Sequence, residues 1–295
     1  MRASFIRQFT SQILEPPSFS RTFPSHIPKS FQLLTLIDSW ICAREHKVLR
    51  FQLPSDVPTI KSLGVPSGVK VRSLIGGKIL DKSYSPISLP SQLGYVDLLV
   101  KRYPFNRGGG LGAFLYNLHI GDSVEIKFKP EKLFSGIPYK TNRWSHIVLI
   151  GNGTGNAPLF QMALHILTDR SELTRVHFVS QYAYQEDILL KKELDTMEHH
   201  FPDRLKRHTF LSRCSTDPRK INLEQFRSNE LFPNPIHFGQ DIHAVVCGTD
   251  GFLETVCGGH VRVTVPSISK KKKQQGPILG FLGSSGWTKE QVTKL

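Results

Sequence analysis

The chain has 295 residues, 39% of them apolar and 21% charged, with 19 Phe and a formal net charge of +14. That length accommodates two domains of ordinary size and that apolar content fills two cores, which excludes a disordered chain. Half of the net charge lies in residues 1–30 and in the run Lys270–Lys273, and the aromatic residues are not interleaved with basic ones, which argues against a nucleic-acid binder.

Residues 1–30 are rich in Arg and Ser and poor in acids, and they place Phe5, Ile6, Phe9 and Ile13 near helical spacing. This is the composition of a mitochondrial presequence, with a disordered basic N-terminus as the alternative. From about residue 33 to 130 the apolar residues recur at period two. "SVEIKFKP" sets Val124, Ile126 and Phe128 against Ser123, Glu125, Lys127 and Lys129, and "KVLRFQLP" and "YVDLLVKRYP" are strand-like as well. Short strands punctuated by Gly and Pro predict an antiparallel barrel or sandwich, with one helical interruption, "LGAFLYNL".

After about residue 143 the pattern becomes strand, turn, helix. "HIVLI" reads as a buried strand, "APLFQMALHILTDR" as a helix and "RVHFVS" as a second strand. "EDILLKKELDTMEHH" reads as a helix with Ile188, Leu189, Leu194 and Met197 on one side, and "RLKRHTFLS" and "HAVVCG" read as further strands. This alternation predicts a parallel, doubly wound sheet whose ligands bind at the carboxyl ends of the strands. The expected division is a presequence-like segment 1–30, a β domain 31–142 and an α/β domain 143–295. No run approaches the roughly 18 apolar residues of a membrane span, so any membrane contact is expected to be peripheral. The lysine run 270–273 reads first as a solvated loop and second as a docking site for an acidic partner or an anionic membrane surface.

"GNGTGNAP", residues 151–158, stands between the first buried strand and its helix. Glycines there let a phosphate or a flavin edge approach the backbone, and the helix N-terminus favours negative charge, with a merely structural tight turn as the alternative. The stretch departs from the dinucleotide fingerprint G-x-G-x-x-G, whose third glycine would fall at Asn156. "KSYSPIS", residues 82–88, offers a cation, a phenol and hydroxyls, the mixture a flavin requires, although taken alone it reads first as a Ser/Pro turn after a strand. Cys42, Cys214, Cys247 and Cys257 form no C-x-x-C pair, His199 and His200 are adjacent on a helix and face different directions, and no G-x-S-x-G elbow is present. Metal centres and hydrolase chemistry are therefore not expected.

Taken in order, "KSYSPIS", "GYVDLLVKRY", "GGGLGAFLYNLHIGDSVEIK", "GNGTGNAPLFQ", "EDILLKKEL" and "VVCGTDGF" resemble the NADH-cytochrome b5 reductase branch of the ferredoxin-NADP reductase superfamily. The resemblance implies an FAD-binding antiparallel barrel followed by an α/β NAD(P)H-binding domain. It implies a flavoprotein reductase that takes a hydride from NADH, with NADPH less favoured, and passes single electrons to a separate haem protein or other one-electron acceptor. Position by position, Lys82, Tyr84 and Ser85 match the family's flavin motif; Val100, Lys101 and Tyr103 match the strand beside the FAD; and Gly109, Gly110, Leu111 and Gly112 match its phosphate turn. Gly153, Thr154 and Gly155 match the turn between flavin and nicotinamide, Asp187 a contact to the NADH ribose, and Cys247 and Gly248 the strand end near the nicotinamide. Thr154 and Cys247 are thereby the expected catalytic contacts.

Three positions depart from the family pattern. Lys82 replaces an arginine and loses its bidentate fork. Gly112 replaces a hydroxyl residue, and "TDGF" replaces the prolines and methionine that usually follow Cys-Gly. These departures, with the tail "QGPILGFLGSSGWTKEQVTKL", which lacks the usual terminal aromatic and is similar to those of fungal mitochondrial flavoproteins that assist cytochrome c maturation, leave a second reading: a flavin-binding assembly factor with little NADH oxidation. Asp187 would repel the 2'-phosphate of NADPH, an expectation blurred by Arg175.

Overall fold

In β6 (Ser123–Lys129) the buried Val124, Ile126 and Phe128 alternate with more exposed Ser123, Glu125 and Lys127, as a strand with one wet face requires. It joins β1 (Gln32–Ala43), β2 (His46–Gln52), β3 (Gly68–Ile75), β4 (Lys78–Tyr84) and β5 (Tyr95–Lys101) in an antiparallel sheet of order β4-β3-β6-β1-β2-β5. The sheet curls until its two end strands approach, and Pro86, two residues past the end of β4, makes an isolated bridge to Leu98 of β5. Leu36, Phe51, Val69, Leu98 and Ile126 fill the interior with Leu111 and Leu115 of α1 (Gly110–Tyr116). The computed structural model describes residues 27–103, 110–129, 139–213, 231–265 and 270–295. Gly109, Cys214 and nearly all of the presequence-like segment lie outside them.

The second sheet is parallel, with order β13-β10-β7-β8-β9. It comprises β7 (His146–Asn152), β8 (Arg175–Tyr182), β9 (Leu205–Leu211), β10 (Ile242–Cys247) and β13 (Val292–Lys294). Covered on both faces, β7 buries every residue from His146 to Gly151, so its sequence is a continuous apolar run rather than an alternation. This is the antiparallel barrel plus parallel α/β architecture that the change of period predicts.

α2 (Asn156–Thr168) is buried at every position except His165, because the sheet covers one side and the barrel the other. Its Ala157, Phe160 and Leu164 share a core with Val48, Val65, Ile87, Leu89 and Leu99 of the barrel half. Each such large side chain contributes on the order of 1.5–3 kcal/mol. On the far face, α4 (Asp250–Cys257) packs with Phe232, Leu282 and Trp287.

Two expectations are corrected. The helix expected from residue 186 begins at Lys191, as α3 (Lys191–His200), after a single 3-10 turn at Gln185–Asp187. Ile188 is extended and Leu190 adopts φ 51°, because burying Leu189 and Leu190 beneath the sheet edge outweighs helical continuity. The lysine run is not a loop: Lys270–Lys273 belong to β12 (Lys270–Gln275), which pairs antiparallel with β11 (His260–Val265).

The amino ends of the parallel strands carry a buried histidine layer. His146 Nδ1 and His177 Nε2 share a hydrogen bond of 3.0 Å. His243 stacks on Trp144 at 4.4 Å and hydrogen-bonds Thr293 Oγ1 at 2.9 Å. Burial lowers the pKa of His177 and of His243 to about 3, with neighbouring His146 and Arg143 respectively adding to the effect.

Candidate functional site: a cleft at an unzipped seam

Beyond the Pro86–Leu98 bridge the end strands β4 and β5 part, and the seam opens into a cleft of about 580 Å³. Strand edges inside a protein must find hydrogen-bond partners, so an open seam is a place where a ligand can supply them. α1 is wedged behind it: a Cβ on Gly110 would lie 2.8 Å from Leu80 Cδ1 on β4, and one on Gly112 would lie 3.0 Å from the Lys101 carbonyl on β5. Lys82, Tyr84 and Ser85 form one wall and Leu99, Lys101 and Tyr103 the next.

The opposite wall comes from the carboxyl ends of β7 and β10, where a parallel sheet of this kind binds its ligands. Gly153 takes φ 51° with no atom within 4 Å of where a Cβ would stand, so the turn is bare towards the cleft. Gly155 is close-packed instead: its Cβ would collide with the Cys247 carbonyl and stand 2.8 Å from Gly248 Cα. Two strand ends thus meet without side chains between them. Asn156, buried, donates to the Gly153 carbonyl at 3.0 Å and accepts from Ser180 Oγ at 3.2 Å, which fixes the turn. Thr249 caps α4 by accepting the Phe252 amide at 3.4 Å, and Phe252 lies against Gly248.

The cleft is electropositive and aromatic. Lys101 Nζ lies 5.4 Å from the centre of the Tyr103 ring, and Lys129 donates to Ser83 Oγ at 3.0 Å beside it. Burial, with Tyr103 close by, pushes the Tyr84 phenol up to about 12, and burial raises the pKa of Tyr103, so both are neutral rings.

The structure brings Lys82, Tyr84, Ser85, Lys101, Tyr103, Gly112, Gly153, Thr154, Gly155, Cys247 and Gly248 into this one cleft. It places others elsewhere. The Val100 and Leu111 side chains are fully buried in the barrel core, because Leu99 and Lys101 take the cleft-facing positions of β5. Gly110 packs against β4 behind the seam. Asp187 does not line the cleft: its carboxylate receives Arg44 Nε at 3.0 Å, Arg44 Nη2 at 3.1 Å and the Tyr184 amide at 3.2 Å. Arg175 stands at the amino end of β8 opposite His146, seven residues of strand from the ligand-binding end, so the cation beside Asp187 is Arg44 and not Arg175. Sequence reasoning passed over Asn152, Pro158 and Thr249, all lining the cleft. Asn152 sits inside the glycine stretch, and Thr249 three residues before Phe252 is a helix-start signal. Arg44 carries no such signal, being 143 residues from its partner.

The donor set fits a flavin. A bare turn, neutral aromatic rings, two cations and an open strand seam match the flat ring system, ribityl chain and diphosphate of FAD in turn. Fold and cleft together define a pyridine-nucleotide-dependent flavoprotein. The family model described as an oxidoreductase FAD-binding domain matches residues 33–130, and that of an oxidoreductase NAD-binding domain matches residues 149–258. NADH-cytochrome b5 reductase 2 of Neurospora crassa is 31% identical over 254 residues, covering 84% of this chain and 68% of that protein. NADH-cytochrome b5 reductase 1 of Lodderomyces elongisporus is 34% identical over 229 residues, covering 76% and 72%. The cytochrome b5 reductase domain of Ulva prolifera nitrate reductase superposes with a TM-score of 0.69 at 22% identity, over 92% of this chain and 100% of that one, and shares the fold. The chain belongs to the NADH-cytochrome b5 reductase family of the ferredoxin-NADP reductase superfamily. It is an NAD(P)H-dependent flavoprotein reductase whose cofactors are FAD and NADH.

Proposed function

We propose that the protein carries electrons from NADH through FAD to a separate haem protein in mitochondria, residues 31–142 holding the flavin and 143–295 the nicotinamide. The observation that carries this reading is the meeting of the Gly153–Gly155 turn with Cys247–Gly248 directly across from the β4/β5 seam. FAD supplies the exchange between a two-electron donor and a one-electron acceptor. The chain binds, orients and shields. Lys82, Lys101 and Gly112 of α1 would hold the diphosphate, Tyr84 and Tyr103 the ring system, and Ser85 the ribityl hydroxyls. Thr154 and Cys247 would touch the nicotinamide, Cys247 by shape rather than as a nucleophile, and Asp187 would meet the NADH ribose by sharing its oxygens with Arg44. The relatives named for cytochrome b5 support a haem acceptor, and the composition of residues 1–30 supports the mitochondrial address. The lysine run 270–273 is the proposed contact for an acidic acceptor, and a peripheral membrane contact would use the same charge.

The test is the visible spectrum of the purified protein lacking residues 1–30, recorded before and after anaerobic NADH and again after an oxidised b-type or c-type cytochrome is added. Yellow protein that bleaches and then reduces the haem is expected. Yellow protein that NADH leaves unbleached would replace the reductase reading with that of an assembly factor, and bleaching without haem reduction would overturn the acceptor. Import of the full chain into isolated mitochondria, lost on deleting residues 1–30, checks the address.

A further inference from the structure

Six residues past Gly155, on the turn of α2 directly beneath the cleft-lining Ala157 and Pro158, lies Gln161, fully buried. Its carboxamide reaches out of the parallel-sheet half into the barrel half. Oε1 accepts from the Ser67 amide at 2.6 Å and the Ser67 hydroxyl at 3.2 Å. Nε2 donates to Ser67 Oγ at 2.9 Å and to the Ser88 carbonyl at 2.5 Å. One oxygen and both N–H groups are thus used, so no other side chain of this size repeats the set.

The partners give the contact its reach. Ser67 leads into β3. Ser88 ends the stretch that begins at Lys82, and its hydroxyl accepts the Asp97 amide at 3.0 Å. Asp97 in turn holds Arg50 through two bonds of 2.8 and 2.9 Å, with the guanidinium 3.7 Å from the centre of the Tyr95 ring. Ser67, Ser88, Asp97 and Arg50 are all buried. A continuous buried polar chain therefore runs from the helix behind one wall of the cleft to the strand that forms the other.

The remaining contact between the halves at this place is apolar: Val65, Ile87, Leu89 and Leu99 against Ala157 and Phe160. Apolar burial holds surfaces together but is non-directional, whereas hydrogen bonds fix angle and register. Contacts between domains permit relative motion unless something forbids it. Transfer between two bound ring systems is sensitive to such motion, since a 1 Å misplacement can lower a rate by about 10²-fold.

From this geometry we infer that Gln161 is a positioning residue for flavin reduction. It touches neither cofactor; it sets the Lys82–Ser85 wall at a fixed distance and angle from the Gly153–Gly155 turn. This deepens, and rests on, the reductase reading above. Gln161→Glu keeps the acceptor and sets a carboxylate against the Ser88 carbonyl. Gln161→Leu orphans both the Ser67 amide and the Ser88 carbonyl, and Ser67→Ala removes only one hydroxyl.

The test uses the full FAD-loaded chain and its three variants. Rapid-mixing measurements give the limiting rate of bleaching by NADH and the apparent Kd for NADH. The long-wavelength charge-transfer absorbance formed when NAD+ is added to the photoreduced protein reports the stacking of the two ring systems without turnover. Gln161→Leu and Gln161→Glu are expected to lower the limiting rate at least tenfold and to lose most of the charge-transfer band. Their flavin content and Kd should stay within about threefold of the parent, and Ser67→Ala should fall in between. Variants that bleach as fast as the parent with the band intact overturn the inference, even where they melt at lower temperature. If Gln161→Leu does not fold, the other two decide on the same criteria. A parent protein that NADH never bleaches overturns the reductase reading itself and the inference with it, a result distinct from fast variants.

Discussion

The two ends of the same parallel strands are built on opposite rules. At the carboxyl ends of β7 and β10 side chains are stripped away: Gly153 leaves space, and Gly155 and Gly248 let two backbones touch. At the amino ends side chains crowd in, with His146 on His177 and His243 on Trp144, all buried. The first arrangement gives up packing for access, and the second gives up titration for packing. One sheet can do both because its interior strands are fixed along their whole length by neighbours on each side.

The comparison breaks most completely at Gly155. Gly155→Val would force a branched side chain into the Cys247 carbonyl, part the two strand ends and close the cleft, and the flavin content of the purified protein should fall by more than tenfold by its visible-to-ultraviolet absorbance ratio. The amino ends give the next largest effect. His177 and His243 have folded pKa values of about 3 against 6.5 unfolded, so the unfolded chain binds more protons between those limits. Their contribution is fully present above pH 6.5 and is lost as the pH falls towards 3, at about 1.4 kcal/mol per pH unit for each histidine. Denaturant titrations between pH 7 and 4.5 should show that slope, and His243→Phe, which keeps a ring against Trp144, should remove one proton from it.

Smaller effects sharpen the picture of the cleft. Lys82→Arg restores a two-pronged donor and should slow FAD dissociation several-fold, read by flavin fluorescence after dilution. Gly112→Ser should bring no such gain, because a Cβ there already stands 3.0 Å from the Lys101 carbonyl; slower FAD loss in that variant would show that α1 can shift. Smallest is Arg44→Ala. An exposed ion pair adds little stability, so the melting temperature should not move measurably, but Asp187 would lose its shield and the ratio of NADPH to NADH reduction rates should fall.

The period switch near residue 143 was legible because burial on one face or on two writes itself into the sequence, as β6 and β7 demonstrate. The glycine stretch was legible for the same reason, since only backbone demands place glycine before a helix. What escaped was everything set by the pairing of distant segments. Arg44 beside Asp187, Gln161 between Ser67 and Ser88, and the late start of α3 after Leu190 follow from docking that leaves no local period. Arg175 misled because nearness in sequence to the second strand said nothing of which end of it the side chain occupies.

The unzipped seam has a consequence for isotope labelling. Strand edges of β4 and β5 that face each other beyond the Pro86–Leu98 bridge carry backbone amides that no ladder holds, whereas those on the β3 and β2 sides are held by their ladders. Deuterium should enter the seam-facing amides among residues 82–85 and 99–101 ahead of the ladder-held ones and be excluded once the cofactor is seated, so occupancy of the seam can be followed by mass alone, in the absence of colour or turnover.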